Sequence, residues 1–209
     1  MKQGSVTSAY RRIAWTLSAA LVVAMGAAAH GQQPAAPAPA KPKPPAAAAQ
    51  AAPAPAPNVG GVQPTLLGQF GDWGAYTATP GGKKVCFALA KPANSHTQPP
   101  NRPRDPAYMF VSSRPAEKVR DEVSIIFGYG FKPNSDANIE ISGANYAMYT
   151  QADGAWVKNA AEEKSLVDTM RKGQDLTVKG TSAKGTASTD VYSLKGLAQA
   201  LDRVGQECR

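Results

Sequence analysis

The side chains with the clearest chemical potential lie in residues 180–185, Gly-Thr-Ser-Ala-Lys-Gly. Ser182 and Lys184 could form a Ser–Lys pair, which is a variant of the activated nucleophile of hydrolases. The segment also has the Gly-x4-Gly frame of a phosphate-binding loop, but Thr186 replaces the lysine that would reach the phosphates. A glycine-containing hairpin with polar residues explains the same pattern, and we favour it. A hydrolase that uses Ser182 and Lys184 is the alternative.

Few other side chains of this chain could support catalysis. There are only two histidines, and His30 lies beside the N-terminal targeting segment described below. A Ser-His-Asp triad would therefore have to use His96, and a zinc site with several histidine ligands is excluded. Glu162 and Glu163 are adjacent in sequence and point in different directions on a helix, so they do not form an acid–base pair. The sequence predicts a protein that is not an enzyme and has no cofactor and no metal.

The positive charge of the chain is unevenly placed. The formal net charge is +8, but residues 66–209 carry 18 basic and 15 acidic side chains, a net charge of +3. This small excess predicts no nucleic-acid partner. Residues 92–106 form a polar, proline-rich stretch without a strand pattern, and long loops of this kind are often functional. We expect Arg102 and Arg104 in this loop to contact a protein or an envelope surface component.

The first 65 residues resemble an export signal followed by a spacer. Arg11 and Arg12 precede an apolar stretch, and Ala27-Ala28-Ala29 offers a small-residue cleavage site, which predicts a signal peptide over residues 1–29. The apolar stretch is just shorter than the roughly 20 residues of a membrane-spanning helix, so an uncleaved membrane anchor is the alternative. Residues 30–65 are dominated by Ala and Pro and have too few large apolar side chains for a core. They predict a disordered, extended linker.

The remaining residues, 66–209, have the texture of a β domain. Ala137, Ile139 and Ile141 alternate with polar residues, which is typical of a half-buried strand. Asp153-Gly154 is a strong hairpin signal. Short strands that are separated by turn signals at intervals of about 8–12 residues favour an antiparallel β-sandwich.

Two short helices interrupt the predicted strands. Residues 160–172 place Leu166, Val167 and Met170 on one side, and Gly173 suits the end of that helix. Residues 194–207 form the second helix, and Ser193 is its predicted cap.

The two cysteines lie far apart in the sequence. Cys86 is in the middle of a predicted strand, and Cys208 follows the buried stripe of the second helix. An even number of cysteines in an exported protein usually forms disulfides, and the chain has no Cys-x-x-Cys redox motif. We predict a structural Cys86–Cys208 bond.

Three segments of the chain resemble a known family. They are residues 68–73 (Gly-Gln-Phe-Gly-Asp-Trp), residues 85–87 (Val-Cys-Phe) and residues 181–201 with the terminal Cys208. Together they are similar to the invasion-associated locus B family of alphaproteobacterial envelope proteins, over about residues 66–208. The resemblance implies an exported, immunoglobulin-like β-sandwich and a link to host-cell invasion and virulence. Only the cysteine pair is carried over as site residues, and no catalytic residue comes with the resemblance.

These observations lead to one main hypothesis and two alternatives. The main hypothesis is a periplasmic or secreted protein of a Gram-negative cell envelope that binds or stabilises a partner through its surface, with a membrane contact only if the signal segment stays uncleaved. The first alternative is the Ser182/Lys184 hydrolase. The second is a peptidoglycan-spanning tether that acts through its spacer.

Overall fold

The computed structural model describes residues 56–209. The predicted signal peptide, its cleavage site and the predicted linker up to residue 55 lie outside the described residues. Within residues 56–209 there is no helix that is long and apolar enough to cross a membrane.

The described residues form eleven strands and two α-helices. The strands are β1 (Thr65–Phe70), β2 (Trp73–Ala78), β3 (Val85–Ala90), β4 (Asn94–Gln98), β5 (Tyr108–Arg114), β6 (Val119–Ile126), β7 (Asp136–Ile141), β8 (Ala144–Gln151), β9 (Gly154–Val157), β10 (Asp175–Thr181) and β11 (Ala187–Ser193), and the helices are α1 (Ala160–Met170) and α2 (Leu197–Glu207). All strand pairs are antiparallel. The predicted mainly β fold with two short helices is confirmed.

The strands join into one sheet in the order β1-β2-β3-β5-β6-β9-β8-β7-β10-β11-β4. Fully buried side chains from strands far apart in this order, such as Trp73, Met109, Met148 and Val178, belong to a single core cluster. The sheet must therefore fold over so that its two halves cover one core. This is the layered β arrangement that the alternating sequence pattern predicts.

Helix α2 closes one side of the core against β1, β2 and β3. Its apolar residues Leu197, Leu201 and Val204 are buried, as the helical spacing predicts. Cys208 follows the helix and is bonded to Cys86 on β3, with their Cα atoms 5.9 Å apart. The predicted disulfide is confirmed.

The start of α2 differs from the prediction. The helix begins three residues later than expected, and Ser193 ends β11 instead of capping the helix. Its hydroxyl donates to Asp72 at 2.6 Å, and its carbonyl accepts from the Trp73 indole at 2.8 Å. Gly196 precedes the helix with a φ of +94°, where a Cβ would lie 1.8 Å from the carbonyl oxygen of Phe70. Two of the segments that carry the family resemblance therefore interlock here.

Two further segments differ from the sequence-based expectation. The predicted loop over residues 92–106 contains strand β4, which pairs with β11 at the edge of the sheet. Its side chains are almost all exposed, so the segment lacks the apolar alternation by which a strand is recognised. In addition, Ala56 and Val59, which lie in the predicted linker, pack on the domain beside Phe87.

Candidate functional site

The two segments with the most chemical potential in the sequence face each other across one cleft. The loop between β4 and β5 supplies one wall, and the hairpin turn between β10 and β11 supplies the other. The cleft has a volume of about 820 Å³. It is lined by Thr97, Pro99, Arg102, Pro103, Arg104, Tyr129, Gly130, Ser182, Ala183, Lys184, Gly185 and Thr186. We call it the basic cleft.

The loop wall is held by backbone contacts. The amide of Asp105 donates to the carbonyl of Gly128 at 3.0 Å, and the amide of Arg102 donates to the Thr97 hydroxyl at 3.2 Å. Gly128 has a φ of +72°, and a Cβ there would lie 1.9 Å from the Asp105 carbonyl oxygen. Only glycine allows this approach, which fixes the backbone of the loop directly after Arg104.

The hairpin wall uses the Ser182 hydroxyl to build its turn. Ser182 Oγ accepts from the amide of Thr186 at 3.2 Å, while the amide of Ser182 donates to the Thr186 carbonyl at 2.9 Å. Among the described residues no hydrogen bond joins Ser182 Oγ to Lys184, whose side chain is exposed. An activated serine needs a base within hydrogen-bond reach. The geometry supports the hairpin interpretation of this segment rather than a nucleophile pair.

Arg104 is the enclosed member of the loop. Its guanidinium donates to Asp190 on β11 through both terminal nitrogens, with Nη1 at 2.8 Å from Oδ2. It also donates to Ser95 Oγ at 3.0 Å and to the Phe127 carbonyl at 3.2 Å. The Asp190 side chain is 0% exposed and that of Arg104 only 12%. Burial opposes the charge of Arg104, but the bonds to Asp190 outweigh it and raise the arginine pKa.

Arg102 is placed differently from Arg104. Its side chain is exposed, and it forms no ion pair with any of the described residues. The sequence-based prediction gave both arginines the same role as contact residues. In the structure Arg102 is exposed and forms no ion pair with a described residue, whereas Arg104 is enclosed and paired with Asp190.

Tyr129 lines the cleft with a phenol group that is neutral. Burial raises the pKa of Tyr129 to about 12, although the bond to Ser188 and the charge of Arg104 act in the opposite direction; the charge of Asp190 makes the smallest contribution, which is upward. Tyr129 and Ser188 hydroxyl oxygens are 2.7 Å apart. Tyr192 lies deeper, and burial together with Asp190 raises its pKa as well. These groups stay uncharged at neutral pH and add no negative charge to the cleft.

The lining of the basic cleft is therefore positive. Arg102 and Lys184 are exposed cations on opposite walls, Arg104 is neutralised by Asp190, and no carboxylate is among the lining residues. A cleft with one sign of charge attracts an oppositely charged group. The arrangement can hold a carboxylate, phosphate or sulfate between its two walls.

His96 lies outside this cleft. It is exposed on the edge strand β4, opposite Thr189 of β11. Residues 56–209 contain no cluster of three or more His, Cys, Asp or Glu side chains that is arranged to hold a metal ion.

Sequence reasoning missed Asp190, although β11 carries a signal for it. Ser188, Asp190 and Tyr192 are buried and alternate along the strand with residues that are half-buried or, for Ala187, exposed. A carboxylate on the inward face of an alternating strand requires a buried cationic partner. The pattern identifies the need for a partner but not Arg104, which is 86 positions away in the sequence.

The fold and the cleft define a disulfide-bonded β domain with a basic surface site. The family model described as "Invasion associated locus B (IalB) protein" matches residues 73–205. The chain belongs to this family.

Comparison with solved structures gives a match, and comparison with curated proteins gives none. The match is the crystal structure of invasion associated protein b from Bartonella henselae, with 20% sequence identity and a TM-score of 0.49. The similarity covers 68% of this chain and 97% of that chain.

Proposed function

We propose that this protein is an exported, invasion-linked protein of the bacterial cell envelope that acts by binding an acidic partner in its basic cleft. Membership of the invasion associated locus B family supports the link to invasion and to the envelope. The Cys86–Cys208 bond supports a location in an oxidising compartment, because disulfides rarely persist in the cytosol.

One observation carries the binding role. The β4–β5 loop and the β10–β11 hairpin are about 80 residues apart in sequence, yet they place Arg102 and Lys184 on the two walls of one cleft. Both cations are exposed, and neither is paired with a described carboxylate. Arg102 can bind an oxyanion through two parallel hydrogen bonds, and Lys184 adds a point charge. The partner group is an acidic headgroup or an acidic side chain of an envelope component.

The charge-removal variant Arg102→Ala/Lys184→Ala tests this proposal. We expect several-fold weaker co-sedimentation with vesicles of phosphatidylglycerol and phosphatidylethanolamine, because the two attractive charges are lost. Raising the salt concentration should also weaken the binding of the parent protein to these vesicles, since exposed charges are screened beyond about 10 Å at 0.1 M salt.

Arg120→Ala/Lys172→Ala is the matched control. It removes the same net charge from exposed positions outside the cleft and should bind like the parent. An equal loss of vesicle binding in both double variants would show a non-specific charge effect and contradict binding in the basic cleft. Hydrolytic turnover that disappears in Ser182→Ala would instead establish the enzymatic alternative.

A further inference from the structure

A second groove lies on the outer face of the sheet and shares no lining residue with the basic cleft. It crosses β3, β5, β6 and β9 and has a volume of about 590 Å³. Its aromatic side chains are Phe87, Tyr108, Phe110 and Trp156. Phe87 is 1% exposed, whereas the other three rings are only half-buried, so a ligand can reach them. We call it the aromatic groove.

The Trp156 indole extends along its own strand instead of standing off the sheet. Gly154 lies two positions before it on β9 and therefore faces the same side of the sheet. A Cβ on Gly154 would lie 2.6 Å from the indole carbon Cη2 and 3.0 Å from Cζ3. The indole thus occupies the space that a side chain would fill. Tyr149, opposite Trp156 on β8, is 46% exposed, and its ring lies within 21° of parallel to the indole. The two rings form a broad aromatic surface.

A small polar side chain separates the rings across the groove. Ser124 on β6 pairs with Phe110 of β5 on one side and with Trp156 of β9 on the other. These three residues form one row across the sheet. The short side chain between two large ones leaves a hollow, and its hydroxyl offers both a hydrogen-bond donor and an acceptor.

The ionic groups of the groove are paired with one another, with one exception. Arg114 donates to the two carboxylate oxygens of Glu122 at 3.0 and 2.7 Å, and to Glu117 at 2.7 Å. Lys83 lies 4.0 Å from Glu117. The exception is Asp153, whose exposed carboxylate forms no ion pair and no hydrogen bond with any described residue. Because both cations that line the groove are paired, an anion has little to bind here, in contrast to the basic cleft.

We propose that the aromatic groove binds a neutral oligosaccharide. The C–H bonds on one face of a sugar ring are weakly positive and stack on the negative face of an aromatic ring. Tyr108, Phe110 and Trp156 provide such rings. The sugar hydroxyls donate to the polar groups beside them, which are the Ser124 hydroxyl and the Asp153 carboxylate. A purely apolar ligand would instead bury that carboxylate without a partner, which is unfavourable. This inference does not depend on the proposed function.

Trp156 reports on occupancy of the groove. In the full chain with Trp15→Phe, the remaining tryptophans are Trp73, which is 0% exposed, and Trp156. Acrylamide quenching of the fluorescence therefore measures the exposure of Trp156. The probes are three uncharged tetrasaccharides: cellotetraose, maltotetraose and tetra-N-acetylchitotetraose. We expect at least one of them to lower the quenching constant about twofold, because a stacked sugar ring covers the indole.

Two variants that keep Trp156 test whether the sugar binds in the groove. Asp153→Ala removes the unpaired carboxylate and should weaken sugar binding about tenfold. Ser124→Leu fills the hollow between the rings and should abolish the protection of Trp156. Asp175→Ala is the matched control, since it removes an exposed carboxylate that does not line the groove. It should be protected like the parent, and so should Arg102→Ala/Lys184→Ala.

No protection of Trp156 by any of the three tetrasaccharides would overturn the proposal. Equal protection in the parent, Asp153→Ala and Ser124→Leu would also overturn it, because the hollow and the carboxylate would then have no part in binding. Quenching that falls as the protein is concentrated without sugar would overturn it in favour of a second copy of the chain that covers the groove.

Discussion

Arg102 and Arg104 show how two neighbouring residues of one type acquire different roles. Arg102 is exposed to solvent at the basic cleft, whereas Arg104 is almost enclosed and pairs with an Asp190 side chain that is fully buried. Removing one partner of a buried pair leaves an uncompensated charge, which costs much more than the pair itself contributes. The consequence of a substitution at each position therefore follows from burial and not from residue type.

At the residue scale we expect Arg104→Ala to lower the free energy of unfolding by about 3–5 kcal/mol. Arg102→Ala should change it by less than about 0.5 kcal/mol, because its side chain is exposed and unpaired. Urea unfolding with the disulfide intact measures both. The double variant Arg104→Met/Asp190→Leu should recover much of the loss, since no buried charge remains. Equal midpoints for the two single arginine variants would show that Asp190 does not depend on Arg104.

At the scale of elements, the contact between the β1–β2 turn and the start of α2 depends on a backbone conformation. Gly196 has a φ of +94°, and any Cβ would meet the Phe70 carbonyl. The amide of Asp72 donates to the Lys195 carbonyl at 3.0 Å in the same contact. The turn and the helix are thus joined through main-chain atoms, which cannot move aside as a flexible side chain can.

Gly196→Ala should therefore destabilise the domain by at least about 1–3 kcal/mol, from the backbone conformation alone. Gly205→Ala is a control of opposite sign. Gly205 lies inside α2 with open space around its missing Cβ, so alanine should stabilise the helix by up to about 1 kcal/mol. Thermal unfolding of the two variants gives the comparison. A Gly196→Ala protein as stable as the parent would mean that the β1–β2 turn and α2 are not locked together.

For the whole molecule, the disulfide joins an early strand to the C-terminal end. Cys86 and Cys208 are 122 positions apart, and the Lys84 ammonium beside this bond donates to the Glu207 carboxylate at 2.7 Å. Cross-linking such distant positions removes conformational freedom mainly from the unfolded chain, by about 5 kcal/mol in the loop-entropy model.

The variant Cys86→Ala/Cys208→Ala should accordingly lower the free energy of unfolding by about 2–5 kcal/mol. A reducing agent should lower the stability of the parent towards that of the variant and leave the variant unchanged. Thiol titration of the parent, denatured without reduction, should find almost no free thiol. Two free thiols per chain would contradict the bond and remove its support for export.

The sequence by itself determined the parts of this protein that depend on local periodicity and turn chemistry. Alternation over residues 137–141 and the Asp153-Gly154 turn predicted strands and a hairpin that the structure contains. The helical spacing of Leu166, Val167 and Met170 predicted the buried face of α1. These features are readable because each depends on contacts within a few residues, and the cysteine pair is readable because the chain contains only two cysteines.

Tertiary structure alone decided which distant residues meet. Residues 94–98 form strand β4 because their backbone pairs with the edge of β11, although their side chains are polar and mostly exposed. Arg104 meets Asp190, and the loop of Arg102 lies opposite the hairpin of Lys184, because β4 pairs with β11 next to β10 at one end of the sheet. No local pattern encodes these pairs. In a sheet whose paired strands are far apart in sequence, the order of the strands and the packing of the core decide which residues are neighbours.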